Sequence, residues 1–107
     1  MSNDIQKILR ELKDGLTEIL GGRLKAVILF GSYARGDAHP PDSDIDVMIV
    51  LKGEFDHWEM NKLVSDFVAA LSLKHDVVIS RKFASDMDYA NSKMPLFINV
   101  RKEGVAV

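Results

Sequence analysis

Two short, almost unbroken apolar runs constrain the fold more than anything else in the chain. Leu24 to Phe30 reads LKAVILF and Asp44 to Leu51 reads DIDVMIVL. Both are dense in Val, Ile and Leu, the composition of buried strands. The apolar end of the second alternates so little that both of its faces need cover, which calls for helices packed on a sheet.

The rest of the chain supplies those helices. Ile5, Ile8, Leu9, Leu12, Leu16, Ile19 and Leu20 fall on one helical stripe. Asn3 with Gln6 forms a capping box ahead of it, and Gly21-Gly22 stops it. Asp56 with Glu59 opens a second helix, whose apolar face carries Met60, Leu63, Val64, Phe67, Val68 and Leu71. Asp76 to Ser80 (DVVIS) is predicted as the third strand, and Ser85 with Asp88 as the start of a brief helix. Pro95 suits the first turn of a last helix ending at Gly104, followed by a tail from Val105 to Val107. Residues 31 to 43 are turn-like, with a short helical turn over Ser32 to Arg35. With no repeat or linker, the expectation is one α/β (α+β) domain over 1–107, a small mixed sheet with helices packed on it.

Composition bounds what such a domain does. At 107 residues the core is real but small, so an active site here is expected to be open on one side. There is no cysteine, which excludes disulfides, thiolate metal sites and cysteine nucleophiles. No apolar signal core or membrane-length run is present, and the cytoplasm is the expected location. A formal net charge of -2 argues against general nucleic-acid binding. It leaves room for a nucleotide substrate, because magnesium neutralises phosphate locally.

The strand that begins Asp44-Ile45-Asp46 carries the chemistry. Alternate strand residues share a face, so Asp44 and Asp46 project together while Ile45 turns the other way. Neighbouring carboxylates repel, and at least one has a raised pKa unless a cation intervenes. Magnesium fits such a pair: a hard cation takes one or two carboxylates and draws its remaining ligands from water and substrate phosphate. An Asp-X-Asp alone reads more simply as a solvated strand entrance. The Gly31-Ser32 turn, which follows the neighbouring strand, favours the metal reading. Gly31 lets backbone approach a phosphate, and Ser32 offers a hydroxyl beside free amides. Asp76 is the best candidate for a third carboxylate.

Other constellations fall short. His39, His57 and His75 lack metal-ligand spacing, and no GxSxG elbow, P-loop or GxGxxG fingerprint occurs. Trp58, Tyr33 and Tyr89 are read as packing or surface residues, with Tyr33 near enough to the turn to touch a nucleotide base.

The stretch GSYARGDAHPPDSDIDVMIV resembles the signature of polymerase-β-like nucleotidyltransferases, in particular the minimal (MNT) group. Gly31, Ser32, Asp44 and Asp46 match its Gly-Ser turn and Asp-X-Asp pair, and Asp76 matches its third carboxylate. The ending RKEGVAV is also similar to this group. The loop from Tyr33 to Ser43 is one residue longer than the familiar form, through Pro40-Pro41. The resemblance implies the palm-like nucleotidyltransferase fold, with two magnesium ions held by Asp44, Asp46 and Asp76. ATP is the implied donor, its phosphates held by Gly31 and Ser32. Arg35, in the ARG element, either contacts phosphate or braces the loop, and Ser43 caps or positions the Asp pair.

Larger family members bind the acceptor with a second domain that this chain is too short to hold. The resemblance therefore implies a partner, a helical HEPN-type toxin, in a homo- or hetero-oligomer. MntA-type antitoxins silence such toxins by attaching AMP to a tyrosine. Two other readings stand beside this one. One is a small-molecule transferase of the antibiotic-modifying type, and the other a non-catalytic nucleotide-binding subunit.

Overall fold

A computed structural model describes residues 3–40 and 42–107. Helix α1 (Asn3–Leu20) is followed by a single 3-10 turn at Gly21–Arg23 and by strand β1 (Leu24–Phe30). Then come α2 (Ser32–Arg35), β2 (Ile45–Leu51), α3 (His57–His75) and β3 (Ile79–Ser85). Helices α4 (Asp86–Asn91) and α5 (Pro95–Glu103) precede the two-residue β4 (Val105–Ala106).

The strands form one mixed sheet in the order β3-β2-β1-β4. β1 runs antiparallel to β2 and β4, whereas β2 and β3 are parallel. The parallel pair requires a crossover, and α3 supplies it. The expected α/β class with a small mixed sheet is what the chain adopts.

Two apolar layers sandwich β2, as its continuous hydrophobicity demanded. On one face Ile45, Val47, Ile49 and Leu51 join the main core with the α1 stripe and with Met60, Val64, Val68 and Leu71 of α3. On the other face Met48 and Val50 meet Ile28, Ala84 and Val100, with Tyr89, Leu96 and Phe97 at the margin. That second layer is thin, because only the short α4 and α5 cover it. Of the predicted α3 face, Leu63 is the exception and stays exposed.

Local signals set most boundaries. The Asp56 carboxylate accepts from the Glu59 amide at 2.9 Å, and Ser85 Oγ accepts from the Asp88 amide at 3.1 Å. Both are N-caps that satisfy otherwise orphaned helix amides. Pro95 opens α5 and Gly104 closes it. Residue 3 lies within α1, and the capping role read for the Asn3 side chain falls outside the described residues.

The third strand is a correction. It spans Ile79–Ser85 rather than 76 to 80, because α3 continues to His75 and Asp76 is its C-cap. Asp76 adopts the left-handed conformation (φ 52), and its amide donates to the carbonyls of Leu73 and Ser72. The polar Ser80-Arg81-Lys82 interrupts the apolar signal of the true strand, yet Ile79, Phe83 and Ala84 are buried.

Candidate active site

The site is assembled where β1 ends and β2 begins. Antiparallel pairing sets Phe30 opposite Asp46, so the chain leaving β1 turns directly beside that carboxylate. The turning residue is Gly31, with φ 74 and ψ -156. That backbone conformation is essentially confined to glycine. A second constraint coincides with it: a Cβ at Gly31 would land on Oδ2 of Asp46. Dihedral and space both require glycine, and the result is a backbone pressed against a carboxylate.

Helix α2 starts immediately after the turn. Its Ala34 and Arg35 amides donate to the Gly31 carbonyl, each at 3.1 Å. The leading amides of Ser32 and Tyr33 precede the first such bond and have no acceptor of this kind among the described residues. Gly31, Ser32 and Arg35 then line a cleft of about 400 Å³ together with Phe30 and Asp46. The opposite wall is one stripe of α5: Leu96, Asn99 and Glu103. A volume of this order is in the range of small-molecule sites.

Asp44 stands one residue ahead of β2 and is exposed, while Asp46 is half-buried. Between them Ile45 is sunk in the main core, which fixes both carboxylates on the other side of the strand. Burial pushes the Asp46 carboxyl above its ordinary range, and the neighbouring Asp44 charge adds to the effect. Lys82 and Arg35 oppose it. Two hard oxygen donors of like charge, one of them half-buried, suit a divalent cation of the magnesium type.

The remaining predicted residues lie around this cleft rather than in it. Ser43 Oγ accepts from the His39 amide at 2.8 Å, which holds the loop entering Asp44. The parallel register places Asp76 at the same end of the sheet as Asp44, three residues before Ile79. It does not join the pair, and no group of three His, Cys, Asp or Glu residues arranged to hold a metal occurs among the described residues. Tyr33 points away from Asp46: it packs against the main core and lines a different cleft, with Ile8, Pro40 and His75. The idea that it touches a base in the Asp46 cleft does not fit this placement. His75 instead bonds Glu11 across α1 and α3.

Sequence reasoning missed the α5 wall and two residues of β3. Ser80 pairs with Asp46 across the parallel register, and Lys82 follows it on the same face. The predicted strand ends at Ser80 and leaves Lys82 outside it, so the sequence does not place Lys82 on the face of Asp46. Leu96, Asn99 and Glu103 share a helical stripe, which is legible, but what that stripe faces depends on the sheet order.

Comparison with known proteins agrees with this geometry. The family model described as a nucleotidyltransferase domain matches residues 7–97. A Methanocaldococcus jannaschii protein named "Putative protein adenylyltransferase" is 39% identical over 101 residues, covering 92% of this chain and 93% of its own. A crystal structure of a "putative nucleotidyltransferase" from Sulfolobus solfataricus superposes with a TM-score of 0.59 at 24% identity, over 99% of this chain and 86% of that one. The MntA-HpeT toxin-antitoxin structure gives 0.59 at 22% identity, over 100% and 72% of the two chains. A toxin-antitoxin structure with AMP-PNP gives 0.58 at 23% identity, over 98% and 72%. With a strand-end glycine turn packed on an Asp-X-Asp strand, and a family match spanning most of its length, this chain belongs to the nucleotidyltransferase family.

Proposed function

We propose that the chain transfers a nucleoside monophosphate, AMP from ATP, to a hydroxyl on a partner protein and releases pyrophosphate. The observation that carries this reading is the contact of Gly31 with Asp46, which joins the phosphate-binding turn and the metal-binding strand in one cleft. Ser32, with the leading amides of α2, receives the β and γ phosphates. Asp44 and Asp46 would hold magnesium, whose charge would neutralise that of the phosphates. The rest of catalysis is positioning and charge stabilisation by the chain. Asp76 is the proposed third, acceptor-side carboxylate; bringing it to the pair requires the α3–β3 connection to shift. Ser43 acts through the loop that presents Asp44.

The proposed acceptor is a tyrosine of a helical HEPN-type toxin, which makes this chain its antitoxin. Support comes from the relative named as a protein adenylyltransferase and from the toxin-antitoxin neighbours, one of them with AMP-PNP. A cytoplasmic setting fits this reading; no helix among the described residues is long and apolar enough to cross a membrane. The test is to incubate the chain with ATP, magnesium and the helical protein encoded beside it, and to weigh the products. Addition of one AMP to a partner tyrosine is expected, and an unmodified partner with intact ATP overturns the proposal.

A further inference from the structure

Among the described residues, Arg35 is the one cation whose side chain lines the Asp46 cleft, and it is already engaged. Its Nε donates to Asp37 at 3.3 Å, and its Nη1 donates to Glu103 at 3.5 Å. Asp37 lies two residues beyond Arg35, just after α2, so that contact is local. Glu103 comes from the opposite wall, at the end of α5. The chain has gone to some length to put it there. Immediately after it, Gly104 passes so close to β1 that a Cβ would strike Ile28 and the Val100 carbonyl. Beyond Gly104, β4 pairs with Ile28 and Leu29 of β1. The last turn of α5 is thereby anchored beside the glycine turn.

We propose that Glu103 is a built-in competitor for the donor's phosphates, holding the Arg35 guanidinium until a nucleoside triphosphate displaces it. This rests on the reading of the cleft as a triphosphate site. Both partners of the pair are substantially exposed, at 45% and 36% of their side-chain surface. Such pairs are weak, and a polyphosphate, a stronger acceptor for a guanidinium, can replace the carboxylate. Once displaced, Glu103 remains in the cleft as a negative charge facing an anionic ligand. It therefore lowers affinity for triphosphate in two ways, by occupying the cation and by repelling the ligand. The consequence is a site tuned to a high donor concentration, with Glu103 acting on donor affinity.

The variant Glu103→Gln keeps the size and hydrogen-bonding capacity of the side chain and removes its charge. Binding of AMP-PNP with magnesium, and of adenosine, is measured by calorimetry on the full chain, with Tm recorded alongside. Glu103→Gln is expected to tighten AMP-PNP binding about two- to fivefold, the scale set by an exposed ion pair. Adenosine, which has no phosphate, is expected to bind both forms equally. Unchanged or weaker AMP-PNP binding by the variant overturns the inference, as does equal tightening of adenosine. A purely structural brace would lower Tm and weaken both ligands together. Failure of the unaltered chain to bind AMP-PNP at all would instead sink the underlying reading of the cleft, and the inference with it.

Discussion

The Gly31 backbone and the Asp46 carboxylate are packed so closely that no side chain fits between them. Asp46 is the second residue of β2, and Gly31 is the residue just past the end of its antiparallel neighbour β1. The contact makes two separate sequence motifs into one site.

Gly31→Ala tests that contact. Positive φ and the collision with Oδ2 act together, and strain at such positions is of order 1–3 kcal/mol. The variant is expected to unfold several degrees earlier in a thermal melt and to lose nearly all transferase activity. Full activity in a folded variant would show that the close approach is dispensable.

Asp46→Asn is expected to raise thermal stability near neutral pH. Burial and Asp44 raise the Asp46 carboxyl above its ordinary range, so folding favours the protonated form. That contribution is fully present below the unfolded pKa and is lost as pH rises through the raised value. The gap between variant and parent should therefore close on acidification. Added magnesium should reverse the order, because it stabilises only the form that binds it. Melting curves of both proteins across pH, with and without the ion, check both signs.

Glu11 predicts the opposite slope. Its carboxyl is held below the ordinary range, first by the hydrogen bond with His75 and then by Lys74. Stability from a depressed carboxyl is present above its unfolded pKa and lost as pH falls through the folded one. Glu11→Gln is expected to destabilise the protein near neutral pH, with the difference vanishing in acid. The pair links α1 to the end of α3 and lies outside the Asp46 cleft, so activity at low temperature should be unaffected.

Much of this was legible before any coordinates. The capping residues Asp56 and Ser85, the stop at Gly104 and the apolar stripe of α1 are local signals, and each marks the element it was read to mark. Gly31, Ser32, Arg35 and Asp46 were singled out by type and spacing, and the structure brings all four into one cleft. The third strand departs from its local signal: VVIS is apolar whereas Ser80-Arg81-Lys82 is not, and pairing with β2 overrides that preference. Glu103 and Asn99 lie on the cleft only because β4 and Gly104 pin the end of α5 to β1. No local pattern encodes a relation of that range.

Asp76→Asn separates a cap from a ligand. Asparagine tolerates the left-handed conformation as aspartate does, so stability should change by only about a few tenths of a kcal/mol. If Asp76 is the acceptor-side carboxylate, the variant binds nucleotide normally and transfers it at least about tenfold more slowly. Unaltered transfer would leave Asp76 as the C-cap of α3 and nothing more.

The most direct measurement is transfer of labelled AMP from ATP to the partner by the double variant Asp44→Asn, Asp46→Asn. The account predicts a folded protein, with a melting temperature at or above that of the parent in the absence of magnesium, and no label on the partner at any magnesium concentration. Label transferred at the parent's rate by this variant would contradict the assignment of the paired carboxylates to the chemistry.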